Sequence, residues 1–252
     1  MSIKNILSAI MMLGVLSCTT TKYQTAEITG TRIPINNSIT ADTSIQNFIK
    51  PYSEHLNETL DTPLAYNPTN LDKSEGELNT AIGNLMADII MEQVNPIFHS
   101  RTGKDIDFVL LNHGGIRASI GKGNVTSRTA YQLMPFENEI VVVELSGQKT
   151  RELLTYLENS KTAHPVSGIQ LKVDKNYKVI SAKVKGKEIE TNRNYLVATS
   201  DYLQTGGDNM IFFKEPVKLY RTDYKLRNTI IDYFTKIDTI STAIDNRYIQ
   251  IP

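Results

Sequence analysis

The 252-residue sequence predicts an α+β fold, a single domain in which a mixed β-sheet is packed by helices. Three observations predict it. Amphipathic stretches with helical spacing occur beside short β-branched stretches. They follow one another without the regular strand-helix-strand alternation of a doubly wound sheet. The length allows one sizeable core, at roughly 100–200 residues per domain. No internal repeat or low-complexity block interrupts the pattern.

The N-terminus comes first. Residues 1–18 join an early Lys4 to an apolar run from Ile6 to Leu16, too short to span a bilayer as a mature helix, and end in Val15-Leu16-Ser17-Cys18. This is the pattern of a signal peptide, and its end resembles a bacterial lipobox. Cys18 is the only cysteine, so no disulfide can form within the chain, and it is the expected site of lipid attachment. Residues 19–40 are polar and Thr-rich, as a flexible tether should be, and the folded domain is expected over residues 41–252. The chain is therefore expected in the bacterial cell envelope, anchored to a membrane.

Within the domain, Ile45, Phe48, Ile49 and Tyr52 share a helical face that Pro51 is expected to kink. Residues 77–98 place Leu78, Ile82, Leu85, Met86, Ile89 and Ile90 on one face, with Pro96 as the expected stop. Gly83 inside that helix implies a close approach at its turn. DIDFVL, residues 105–110, reads as a strand entering a core, and GKGN, residues 121–124, as a hairpin-like excursion. Thr126 and Ser127 are candidate caps for a short helix. Ile140 to Leu145 is strongly β-branched, and residues 148–159 form an amphipathic helix with Leu153, Leu154 and Leu157 inward. Three short strands follow over residues 168–174, 177–184 and 194–200, then a helix over 225–237 and a terminal strand near 246–251.

Charge narrows the function. Lys and Arg number 27, and so do Asp and Glu, so no basic field exists to attract DNA or RNA. Three clusters each follow an apolar stretch: NHGGIR at 112–117, MPFEN at 134–138 and DYLQTGGDN at 201–209. Paired glycines, here Gly114-Gly115 and Gly206-Gly207, admit a ligand close to the backbone. Arg117 offers a forked donor to a phosphate or ribose oxygen, Asp208 an acceptor for vicinal hydroxyls, and Phe136 and Tyr202 two flat faces for a base. Taken singly, each has an ordinary structural explanation as a turn or a core residue.

Together, GNLMAD, then LNHGGIR after a strand, then LMPFEN before a β-branched strand, then YLQTGGD resemble the C-terminal, substrate-binding domain of the periplasmic and surface 5'-nucleotidases. The likeness covers roughly residues 40–252. It implies that Asn112 and Arg117 contact base and phosphate or ribose, that Phe136 and Tyr202 stack on the base, and that Asp208 binds ribose hydroxyls. With Gly114, Gly115, Gly206 and Gly207 these form the expected substrate-binding set.

Two departures concern binding. The arginine that similar enzymes carry upstream of the Gly-Asn helix is absent from GELNTAIG, residues 76–83, and position 113 is His where many relatives have Gly. The His113 ring is expected to point to solvent. A larger departure concerns chemistry: the D-x-H, G-D and G-N-H-[DE] motifs of the family's dinuclear metallophosphatase domain do not occur. His55, His99, His113 and His164 are scattered and are expected to be surface or satisfied residues, not metal ligands. The resemblance thus implies no cofactor on this chain. It implies a divalent metal pair on a separate metallophosphatase polypeptide, with this chain the binding half of a split enzyme that is inactive alone. The alternatives are a non-enzymatic nucleoside- or nucleotide-binding lipoprotein and an envelope scaffold.

Overall fold

A computed structural model describes residues 27–252; the predicted signal peptide, Cys18 and the start of the predicted tether lie outside the described residues. The described residues fall into two units, residues 27–49 and 50–252. In the first, residues 27–42 carry neither helix nor strand and are exposed. Helix α1 (Thr43–Asp61) begins there and continues on both sides of Pro51, with no buried residue.

The second unit holds the remaining elements. In order they are β1 (Pro63–Asn67), α2 (Ala81–Thr102), β2 (Phe108–Leu110), β3 (Gly123–Thr126), α3 (Ser127–Leu133), β4 (Glu139–Leu145), α4 (Gly147–Ser160) and β5 (Val166–Ser167). Then come β6 (Ile169–Val173), β7 (Val179–Val184), β8 (Lys187–Glu188), β9 (Tyr195–Ser200), α5 (Asp201–Gln204), β10 (Lys218–Lys225), α6 (Leu226–Lys236) and β11 (Tyr248–Gln250). The α+β class holds, but the strands form two mixed sheets and a ribbon: β10-β4-β9-β2-β5, β11-β6-β7-β8, and β1 paired with β3.

The five-stranded sheet separates two apolar cores. From alternate positions, Val109, Ile140, Val142 and Ala198 face α2 and α6, while Phe108, Val141, Val143 and Val197 face α4 and the second sheet. Both faces of β4 are therefore dry at its centre, and this is why residues 140–143 are continuously apolar and not alternating. Helix α2 is buried over most of its circumference for the same reason, with Ile82, Met86, Ile90 and Val94 inside. The close approach implied by Gly83 is to the capping hydroxyl of its own helix: a Cβ there would lie 2.8 Å from Thr80 Oγ1, with Pro165 Cγ in ordinary contact at 3.5 Å.

Two boundaries differ from expectation. Helix α2 starts at Ala81, where Thr80 caps it by accepting from the Gly83 N–H at 3.0 Å. It does not stop at Pro96. An interior proline costs roughly 3 kcal/mol of helix stability against alanine, and here the core contacts of Phe98, two residues further on, keep the helix going. The stop is Gly103, left-handed at φ 68°, whose N–H donates to the His99 carbonyl.

Sheet topology positions the site. Strands β2 and β9 are parallel, and β4 is antiparallel to β9, with Ile140 opposite Ser200. The C-terminal ends of β2 and β9 and the N-terminal end of β4 therefore open at one edge of the sheet. All three predicted motifs leave from it: NHGGIR after β2, MPFEN before β4 and DYLQTGGDN after β9.

Candidate nucleotide-binding site

At that edge lies a cavity of about 290 Å³, lined by Asn112, Gly114, Gly115, Arg117, Phe136, Asn138, Tyr202 and Asp208. Residues separated by as much as 96 positions meet there: Asn112 Nδ2 donates to Asp208 Oδ2 at 2.7 Å. Phe136 and Tyr202 are 40% and 44% exposed, respectively. Both rings line the cavity and are left open to solvent, and so are not core.

The first wall is a 3-10 turn, His113–Gly115. It needs glycine at 115 because a Cβ there would lie 2.8 Å from the Asn112 Oδ1. At 114 a Cβ would make only ordinary contacts, with Asp208 Oδ2 at 3.4 Å and Asn112 Nδ2 at 3.5 Å, and that position faces the cavity. Arg117 is exposed; its Nη1 donates to the Gly114 carbonyl at 3.2 Å and its Cζ stands 5.9 Å from the Phe136 ring centre.

The second wall, Phe136 to Asn138, is fixed from behind by Arg227, which is 5% exposed. Its Nη1 donates to the Phe136 carbonyl at 3.2 Å, its Nη2 donates to the Glu137 carboxylate, and its guanidinium lies 4.1 Å from the Tyr131 ring centre. The same guanidinium holds the Glu137 carboxyl below its ordinary range. Lys225 and the Leu226 N–H add bonds to the carbonyls of Glu137 and Asn138.

The third wall is the loop after β9. Gly206 is left-handed at φ 94°, and so are two non-glycine residues, Asp208 at 51° and Asn209 at 60°. Tyr202 holds Asp208 there. Its hydroxyl donates to Asp208 Oδ1 at 2.8 Å and accepts from the Asp208 N–H at 3.3 Å. The bond to the carboxylate raises the Tyr202 pKa, because it favours the protonated phenol.

Gly206 and Gly207 differ from expectation. They do not line the cavity. A Cβ on Gly207 would strike the Tyr202 ring at 2.5 Å, so that glycine makes room for this ring. Asn138 was missed as a site residue although it lies in the MPFEN cluster; its placement two residues after an exposed aromatic in the same loop was the available signal.

The histidines also depart in part. His113 turns away from solvent: its Nε2 lies 3.1 Å from the Lys73 carbonyl, because the half-buried turn brings that carbonyl over it. His164 is 5% exposed, and its Nε2 has no hydrogen-bond partner among the described residues, so it is neither surface nor fully satisfied. His55 is exposed, and His99 Nδ1 lies 3.0 Å from Asp105 Oδ1. Among the described residues no three His, Cys, Asp or Glu side chains converge as a metal site would require. The donor set of a dinuclear centre is not offered by them, and no hydrolytic step is assigned to them.

Comparison with known proteins agrees with the geometry. The family model "5'-nucleotidase, C-terminal domain" matches residues 59–215, well over half of the chain. A 5'-nucleotidase of Vibrio vulnificus is 31% identical over 191 residues, which are 70% of this chain and 31% of the relative. Cell wall protein Lmo0130 of Listeria monocytogenes is 32% identical over 166 residues, 59% of this chain and 20% of that protein. The chain thus spans a third or less of the length of these relatives. A crystal structure of a 5'-nucleotidase precursor from Thermus thermophilus superposes with a TM-score of 0.68 at 23% identity, over 82% of this chain and 43% of that one, and is similar in fold.

Proposed function

The chain belongs to the family of 5'-nucleotidase C-terminal domains, and from that premise we propose that it is the nucleotide- or nucleoside-binding half of a split 5'-nucleotidase. One observation carries this reading: two exposed rings, a guanidinium, a carboxylate and an amide, drawn from three separated loops, line a single cavity. Phe136 and Tyr202 stack on the base. Asp208 accepts from ribose hydroxyls with the lone pairs that Asn112 and Tyr202 leave available. Asn112 contacts the base, and exposed Arg117 compensates a phosphate or bonds a ribose oxygen. Gly114 lets the ligand approach the backbone.

Hydrolysis of a phosphate ester then belongs to a separate metallophosphatase polypeptide carrying a divalent metal pair. Cys18, if lipidated, tethers the pair to a membrane of the bacterial cell envelope; no helix among the described residues is long and apolar enough to cross one. Mixing the purified chain with a metallophosphatase-domain polypeptide and divalent metal is expected to raise AMP hydrolysis. Absence of both association and rate change would refute the split arrangement. A second reading is a nucleoside-binding lipoprotein without enzymatic role, which the missing metallophosphatase motifs of the sequence motivate. It requires tight nucleoside binding and no partner-dependent hydrolysis.

A further inference from the structure

Two residues outside the sequence motifs, Tyr156 on α4 and His164 in the connection to β5, stand behind the cavity and touch both of its paired-glycine loops. Neither lines the cavity. The loop bearing Asp208 and Asn209 holds both in the left-handed region, where L residues stay only when contacts hold them. Tyr202 supplies such contacts from inside the loop. Tyr156 supplies one from outside: its hydroxyl donates to the Asp208 carbonyl at 2.9 Å. That bond orients the peptide leaving Asp208, and with it the direction in which the carboxylate points.

His164 serves the other loop. Its Nδ1 accepts from the His113 N–H, at the start of the NHGG turn, at 3.3 Å. Its ring centre lies 5.5 Å from that of Tyr156, which in turn lies 5.5 Å from Phe212. An accepting Nδ1 places the proton on Nε2. Burial pushes the His164 pKa down to about 4, with His113 adding to the effect and Asp208 and the Leu111 backbone opposing it, so the ring is neutral at neutral pH. Only the neutral ring can accept from His113.

We propose that Tyr156 and His164 are positioning residues for sugar recognition, holding the Asp208 carboxylate in register with the Asn112–Gly115 turn. They act through Asp208 and His113 and not by touching the ligand. The inference rests on the nucleoside-binding reading above and names residues that set its selectivity for the ribose diol.

Calorimetric titration of the full chain with adenosine and with 2',3'-dideoxyadenosine tests it. Tyr156→Phe is expected to weaken adenosine about tenfold, the size of one lost hydrogen bond, while dideoxyadenosine and the melting temperature barely change. In an Asp208→Ala background, Tyr156→Phe is expected to have no further effect. His164→Asn, whose Oδ1 can replace Nδ1 as acceptor, should retain adenosine affinity that His164→Leu loses. Equal losses for the two ligands, no loss, or an undiminished effect in the Asp208→Ala background would each overturn the positioning role alone. Failure of the unaltered chain to bind either ligand would instead defeat the nucleoside-binding reading, and the inference with it.

Discussion

The cavity rim and the clasp that fastens the C-terminal segment are both built from polar side chains, yet they use them in opposite ways. In the clasp the hydrogen-bonding groups are engaged. Arg247 is bidentate to Asp88 with two bonds of 2.8 Å, and also bonds Asp245 and the Val166 carbonyl. Asn79 donates to the carbonyls of Asp245 and Tyr248 and accepts from Asn84, which itself donates to the Ala243 carbonyl. At the rim, Phe136 and Tyr202 stay open to solvent and Arg117 makes one hydrogen bond among the described residues; His164, behind the rim, keeps a buried nitrogen without a partner there. Saturated polar groups hold a fold together; polar and aromatic groups held in place but left available are capacity for a ligand.

The contrast predicts which region governs stability. Arg247→Ala strands the Asp88 and Asp245 carboxylates and removes the fastening of β11. It is expected to cost about 2 kcal/mol in denaturant unfolding, since both carboxylates are nearly half exposed and solvent screens part of the pairing, with nucleoside affinity in the still-folded protein unchanged. A loss below about 1 kcal/mol would show that the clasp is not the structural member of the pair.

The rim's weakness should appear on acidification. The folded-state pKa of His164 lies at about 4, below its ordinary value of 6.5. The unfolded chain therefore binds the proton first. Stability from this group is complete above about pH 6.5 and is lost as pH falls towards 4, by up to about 3 kcal/mol. Urea unfolding of the unaltered chain and of His164→Phe at pH 7 and pH 4.5 isolates this share from that of the carboxylates. The variant is expected to lose less stability between the two pH values, and parallel losses would count against a neutral buried imidazole.

The two regions were not equally legible in the sequence. The rim was readable because each wall follows directly on an apolar strand or precedes one, so glycine pairs, a lone arginine and misplaced aromatics stood out locally. Local pattern also separated Gly83 as a packing residue. It could not assign Gly207 to Tyr202 instead of to the ligand, since that depends on which way a ring folds over the loop. The clasp was invisible. Its long-range bonds join residues as much as 159–169 positions apart, such as Asp88 with Arg247 and Asn79 with Tyr248, and nothing in either neighbourhood signals the other. Strand β10 was missed because it is an edge strand in which only Thr222 is buried, and its charged and polar side chains read as loop. Pro96 misled because core packing, a tertiary effect, overrode a local preference.

The central claim is that residues far apart in the chain converge on one nucleoside-shaped cavity, with Asp208 as its sugar contact. Calorimetry of adenosine binding to the unaltered chain and to Asp208→Ala tests it most directly. The prediction is one site per chain, weakened by about 1.5–3 kcal/mol in the variant, roughly ten- to a hundredfold, with the variant still folded at the temperature of titration. Absence of binding by the unaltered chain, or equal affinity in the two proteins, would contradict it.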